Sequence, residues 1–287
     1  MTQFLATTLN GLTLASLYFI VASGFTLVFG LMRNVNLAHG SLYLGGGYIG
    51  FEAARLTGSW YLGVAAGFVS MATVGVLLQL LLFRHLEGQE LRQTLASLAL
   101  SIIVADLMLW IWGGNTYQFE IPDLLFGAMP LGNDVLPFYS KMRLSLIVVA
   151  AAIGLLLWLF LTRTRIGMMI RAGVDDRSML QASGVNVHLL FAVTFGLGAG
   201  LAGIAGVVGG TVLSIAPGED LRFLLASLIV VIVGGMGSVA GSALGALLIG
   251  LAEQYGLAYT PTYGVVYTFV ILVLVLAIRP QGLLGRA

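Results

Sequence analysis

Along most of this chain, apolar residues run for about twenty positions before a short polar or glycine-rich interval breaks in. Crossing the ~30 Å hydrocarbon layer of a membrane takes about 20 mostly apolar residues. Nine runs approach or reach that length: 4–31, 37–56, 60–83, 94–112, 143–162, 188–213, 223–237, 239–256 and 261–279. The seventh and eighth are short and parted only by GGMGS (234–238), so they are either two spans or one broken helix. The pattern predicts an all-α polytopic membrane protein with eight or nine transmembrane segments, forming a single membrane domain over 1–287.

Composition sharpens this picture. Of 287 residues, 59% are apolar and only 9% charged, with a mean hydropathy of +1.02. A soluble domain carries about 25% charged residues to wet its surface, so most of this surface is expected to face lipid. The net charge of +1 supplies no basic face for nucleic acid, and the lack of cysteine excludes disulfides and thiolate metal sites. The opening MTQFLATTLNGLTLASLYF has no basic n-region and reads as a permanent span, not a cleaved signal.

Charge sets the expected orientation. With the N-terminus outside, the inner connections hold Arg33, Arg84, Arg92, Arg163, Arg165, Arg171, Arg177, Arg279 and Arg286, against Arg55, Lys141, Arg143 and Arg222 outside. That bias places the C-terminus and the interval 163–187 in the cytoplasm. The outer loop 113–142 is punctuated by Pro, Gly and Asn, which argues against a folded extracellular domain. Nothing else is long enough to hold a soluble enzyme.

Glycine is the second pattern, with 39 residues in all. Gly198, Ala202, Gly206 and Gly210 recur every four positions and line one helical face, where close backbone approach lets helices associate in lipid. Such a face serves tight packing within one subunit, or a surface on which helices shift against one another. Two stretches read as broken helices: FGLMRNVNLAHGSLYLGGG (29–47) and VGGMGSVAGSALG (233–245). Each is either an ordinary turn or a place where freed backbone groups line a substrate path. On the second reading Asn36, His39, Gly234, Gly235, Gly237 and Ser238 line that path. No second histidine lies at ligand spacing from His39, so no metal site is expected.

Acids inside the runs are few. Asp106 is the deepest, and its bland reading is a buried, hydrogen-bonded carboxylate; the alternative is the ion site of a secondary carrier. Glu52 and Glu253 are placed within a turn of an outer end, reaching interfacial water. Glu120, Asp123, Asp134, Glu219 and Asp220 would make an acidic outer fringe. The chain has no HExxH, GxSxG or GxxxxGK[ST], so neither intramembrane proteolysis nor P-loop ATP hydrolysis is expected of it, and no cofactor.

The interval RAGVDDRSMLQASGVNV (171–187) is the most soluble-looking part of the chain. Asp175 or Asp176 can cap a helix N-terminus, and Met179, Leu180 and Ser183 follow as a small patch. Gly184 fits the left-handed residue that ends a helix. Two turns are marginal alone in water, so this segment must pack on its own membrane domain or on a soluble partner.

VNLAHG (35–40), the 171–187 stretch, TFGLGAGLAGIAGVV (194–208), VGGMGSVAGSALGALLIG (233–250) and RPQGLLGR (279–286) together resemble the permease subunit of branched-chain amino acid ABC importers, the LivH type. The matches follow the family's order over essentially the whole chain. The resemblance implies a transport subunit of the inner membrane, not an enzyme. It would pair with a second permease (LivM type) or itself, with two cytoplasmic ATPase subunits and with a periplasmic substrate-binding protein. It also implies that Arg171, Asp175, Asp176, Arg177, Met179, Leu180 and Gly184 couple to the ATPase. Many members carry a lysine shortly before GGMGS where this chain has Ala226. That departure leaves the small-molecule substrate open among branched-chain and other amino acids, urea or short amides, and small carboxylates.

Overall fold

The computed structural model describes residues 2–32, 35–130 and 138–285. Arg33, Asp134 and Arg286 lie outside the described residues, as does the side chain of Arg177. Among the described residues, eleven α-helices follow in order: α1 (Thr2–Met32), α2 (His39–Thr57), α3 (Trp60–Leu81), α4 (Glu90–Trp112), α5 (Lys141–Arg163), α6 (Arg165–Asp175), α7 (Arg177–Ala182), α8 (Val187–Val212), α9 (Glu219–Gly234), α10 (Val239–Tyr259) and α11 (Gly264–Ile278). The only strands among the described residues, β1 (Ala128–Pro130) and β2 (Phe138–Ser140), pair antiparallel inside the long loop between α4 and α5.

Each of the nine apolar runs is a helix. Five of them (α1, α3, α4, α5 and α8) are long and apolar enough to cross a membrane. The α9–α10 pair passes the same test jointly, which makes six if the pair is one span. The difference from eight or nine lies in α2, α9, α10 and α11, which are shorter or laced with glycine and polar residues. At GGMGS the two helix axes bend by 116°. A single crossing would continue the axis, so α10 instead turns back alongside the end of α9.

Hydroxyls along α1 are satisfied locally, as lipid requires. Thr8, Thr13 and Ser16 each return their hydroxyl to the carbonyl four residues back. The core is built around α8, which packs on α1, α2 and α3 through glycine. A Cβ on Gly198 would collide with the carbonyl of Gly24, one on Gly206 with that of Tyr43, and one on Gly203 with that of Gly67. Ala202 is fully buried between them. The four-residue small stripe of α8 therefore packs within the subunit, and backbone-on-backbone contact replaces the absent hydrophobic drive.

Two sets of contacts mark opposite ends of the central stretch of α1. Near the start of α1, the Asn10 carbonyl oxygen accepts from Tyr139 Oη at 2.9 Å and from Arg143 Nη1 at 2.6 Å. At its other end, Gly30 packs on Gly237 and Val174. The twenty residues between Asn10 and Gly30 span about 30 Å of helix, one hydrocarbon thickness. The α6–α7 segment, the α9–α10 bend and the C-terminal residues all gather at the Gly30 end.

Candidate functional site

At the Gly30 end, three capped helix starts follow one another closely. Thr164 Oγ1 accepts from Gly167 N–H at 3.0 Å and starts α6. Asp176, in extended backbone, accepts from Met179 N–H at 3.0 Å and from Ser178 Oγ at 2.7 Å, and starts α7. Asn186 accepts from Leu189 N–H at 3.1 Å and starts α8. Gly184, at φ +85°, ends the segment in the left-handed region that glycine tolerates.

The small patch divides between two surroundings. Leu180 is 8% exposed and packs with Ile170, Val187, Leu190 and Phe191. Met179 points away and is 72% exposed. Arg171, Asp175 and Asp176 are exposed at the same end. The 11-residue α6 is a finding that the sequence reading lacked: its arginines disguise an amphipathic helix whose inner face is Gly167, Ile170 and Gly173. Between this segment and residues 87–93 lies a cleft of about 490 Å³, lined by Glu87, Glu90, Gln93, Asp175, Asp176 and Phe191, among others.

The expected path residues fall into two groups. His39 is buried, with Nε2 3.0 Å from the Val21 carbonyl and the Phe25 ring 5.3 Å away edge-on. Asn36 is also buried; its Oδ1 accepts from Ala38 N–H at 3.1 Å, while Nδ2 has no hydrogen-bond partner among the described residues. Beside it is a void of about 10 Å³, bounded by Gln93, Ser97 and Phe195, large enough for about one water. Gly234, Gly235, Gly237 and Ser238 form the α9–α10 bend instead. Gly235 and Gly237 take φ of +108° and +78°, and Ser238 Oγ accepts from Gly241 N–H at 3.0 Å. The C-terminal residues close over this bend, with Leu283 N–H on Val233 O and Leu284 N–H on Gly234 O at 2.8 and 2.9 Å. Along α1, His39 stands at Val21, nine residues and about 13 Å from Gly30 at the bend, so the structure does not bring it to the bend, whereas Asn36 lies by Val28 and Met32, close to the Gly30 level.

Three expectations about acids are corrected. Glu253 does not reach interfacial water: it is 8% exposed and accepts from Tyr18 Oη at 2.7 Å. Glu219 and Asp220 are not an outer fringe, because the first turn of α9 packs on the first turn of α2, with Gly40 against the Asp220 carbonyl. Both helices start near the level of Tyr18 and Val21, midway along α1. Asp106 is exposed on α4 and has no hydrogen bond or ion pair among the described residues, so it is not a buried, bonded carboxylate.

The corrections uncover a charged group that the sequence reading scattered. Arg222 Nη1 lies 3.3 Å from Glu219 Oε2, and its Nη2 lies 3.8 Å from Glu253 Oε1. Phe223, next to it, stacks on Tyr43 at 4.1 Å and meets Tyr18 edge-on at 6.1 Å. The available signal was a cation and two acids at the ends of apolar runs, each assigned separately to the outer rim.

A family model described as "Branched-chain amino acid transport system / permease component" matches residues 7–278. The chain belongs to that family. It is 31% identical to the high-affinity branched-chain amino acid transport system permease protein BraD of Pseudomonas aeruginosa, over 99% of this chain and 96% of that one. It is 30% identical, over the same shares, to LivH of Escherichia coli K12, which carries the same description. A probable branched-chain amino acid transport permease LivH of Methanocaldococcus jannaschii is 26% identical over 94% of this chain and 89% of its own. As a family member, the protein is matched across all nine apolar helices and through the α6–α7 segment.

Proposed function

We propose that this chain is the permease subunit of an ATP-driven importer of the inner membrane, carrying branched-chain or related amino acids. It has no catalytic role of its own. A second permease of LivM type or a second copy, two cytoplasmic ATPases and a periplasmic binding protein complete the importer. The observation that carries the reading is α7, in a member of a permease family: a short capped helix, anchored inward by Leu180 and presenting Met179 outward.

On this reading, α7 is a coupling helix. Arg171, Asp175, Asp176, Arg177, Met179, Leu180 and Gly184 form or shape the face that an ATPase grips. The Gly30 end is then cytoplasmic, the N-terminus outside, and nine segments cross or enter the membrane as one domain. Alternation between inward-open and outward-open states moves α9 and α10 about their bend, since Gly234, Gly235, Gly237 and Ser238 are the hinge nearest α7. Asn36, beside Val28 and Met32, and His39, deeper beside Val21, continue the same path.

Reconstitution of the complete importer in liposomes tests this. Leucine uptake is expected to need ATP and liganded binding protein and to ignore proton and sodium gradients. Uptake by this chain alone, driven by an ion gradient, would overturn it.

A further inference from the structure

Arg222 poses a physical problem for a membrane subunit. Measured along α1, Tyr18 lies about 12 Å inward of Asn10, and the first turn of α9 packs at that level through Phe223 and Gly40. Yet the Arg222 side chain is 45% exposed in the isolated subunit. An exposed guanidinium at that depth does not face lipid; it faces water or another protein surface.

The surroundings are built to hold charge. Glu253 is anchored by Tyr18 Oη at 2.7 Å and is nearly enclosed. Glu219 sits on the other amino group of Arg222. One cation thus stands between two carboxylates, which leaves the cluster a net acceptor of positive charge. The first turn of α9 follows Gly218 with no side-chain cap; the Glu219 N–H bonds the Ala216 carbonyl, and the next N–H groups are left as donors at the helix start. Donors for an anion and acceptors for a cation lie together. That is the polarity of an amino acid's common end: its carboxylate suits Arg222 and the α9 start, and its ammonium suits Glu253 and Glu219.

The geometry points to Arg222, Glu219 and Glu253 as a water-facing charged station that the zwitterionic end of an amino acid passes, on a face completed by the second permease subunit. This inference rests on the permease reading and deepens it. Recognition of the common end, not the side chain, leaves selectivity to the binding protein.

The test uses the assembled importer. Glu253→Gln keeps an oxygen for Tyr18 and removes the charge. It is expected to lower leucine uptake at least tenfold while binding-protein-stimulated ATP hydrolysis stays within twofold. The chain has no cysteine, so single cysteines on it are clean probes when labelling is read as a mass shift of this subunit. Leu225→Cys, one turn from Arg222, is expected to react with a cationic methanethiosulfonate at least tenfold faster than Val273→Cys on α11. Equal labelling rates, or Glu253→Gln transport at the wild-type rate beside a working wild type, would overturn the station. A wild-type importer that hydrolyses ATP but moves no amino acid would overturn the permease reading and the station with it.

Discussion

Helices α1 and α4 are about equally apolar in sequence, yet their fates differ. Most of the spanning window of α1 is buried, 83%, against 11% for α4. The same contrast separates α8, at 83%, from α5, at 17%. Hydropathy therefore identifies a membrane helix without telling which solvent covers it. Glycine does tell: α8 carries seven glycines, α4 none and α5 only Gly154. In lipid, Leu against Leu gains little over Leu against acyl chain, so burial goes to the helices whose backbones can meet. On α3 the rule holds at the scale of one face, where Gly63, Gly67, Met71, Gly75 and Gln79 are the buried residues at four-residue spacing.

Substitutions should reproduce that contrast. The largest effect is expected from Gly203→Val, whose new side chain meets the Gly67 backbone and the Met71 side chain at once. We expect a loss of about 3 kcal/mol, read as thermal denaturation in detergent. Ala99→Val on the exposed side of α4 should stay within about 0.5 kcal/mol. Similar losses at both sites would break the comparison. A smaller loss, about 1 kcal/mol, is expected for Thr26→Val, which removes the buried Thr26–Ser242 hydrogen bond at the α1–α10 contact and leaves the Ser242 hydroxyl only its bond to the Ser238 carbonyl.

Outside the packed core, effects become local. Asp176→Ala removes the α7 cap at a cost of about 1 kcal/mol, so hydrogen exchange over 177–182 should speed up several-fold while α8 is unchanged. Smallest of all, Asp106→Asn on the exposed face of α4 should leave ATP-driven uptake within twofold of wild type. Abolished uptake would instead mark Asp106 as the ion site of a carrier.

Much of this organisation was legible in the sequence. Nine apolar runs became nine helices, the GGMGS break is a sharp bend, and Asp176 and Gly184 cap and end α7, because those signals are local: run length, capping chemistry and positive φ. What was not legible depends on distant partners. The Tyr18–Glu253 bond joins residues 235 apart, and nothing near Glu253 announces it. The inward starts of α2 and α9 were hidden because each looks like an ordinary turn until Gly40 is seen against Asp220. Asp106 was misplaced for the reason that opens this comparison: an apolar neighbourhood in sequence is silent on whether lipid or protein lies beside it. The α6 helix was missed because its arginines outweigh its small buried face.

The central claim is that α7 passes force from a nucleotide-driven neighbour to the membrane helices. Binding-protein-stimulated ATP hydrolysis by the importer carrying Met179→Arg tests it most directly. Met179 is outside the packed core, so the subunits should still assemble and hydrolysis should fall at least tenfold, together with leucine uptake. Stimulated hydrolysis and uptake at wild-type rates in that variant would contradict the claim.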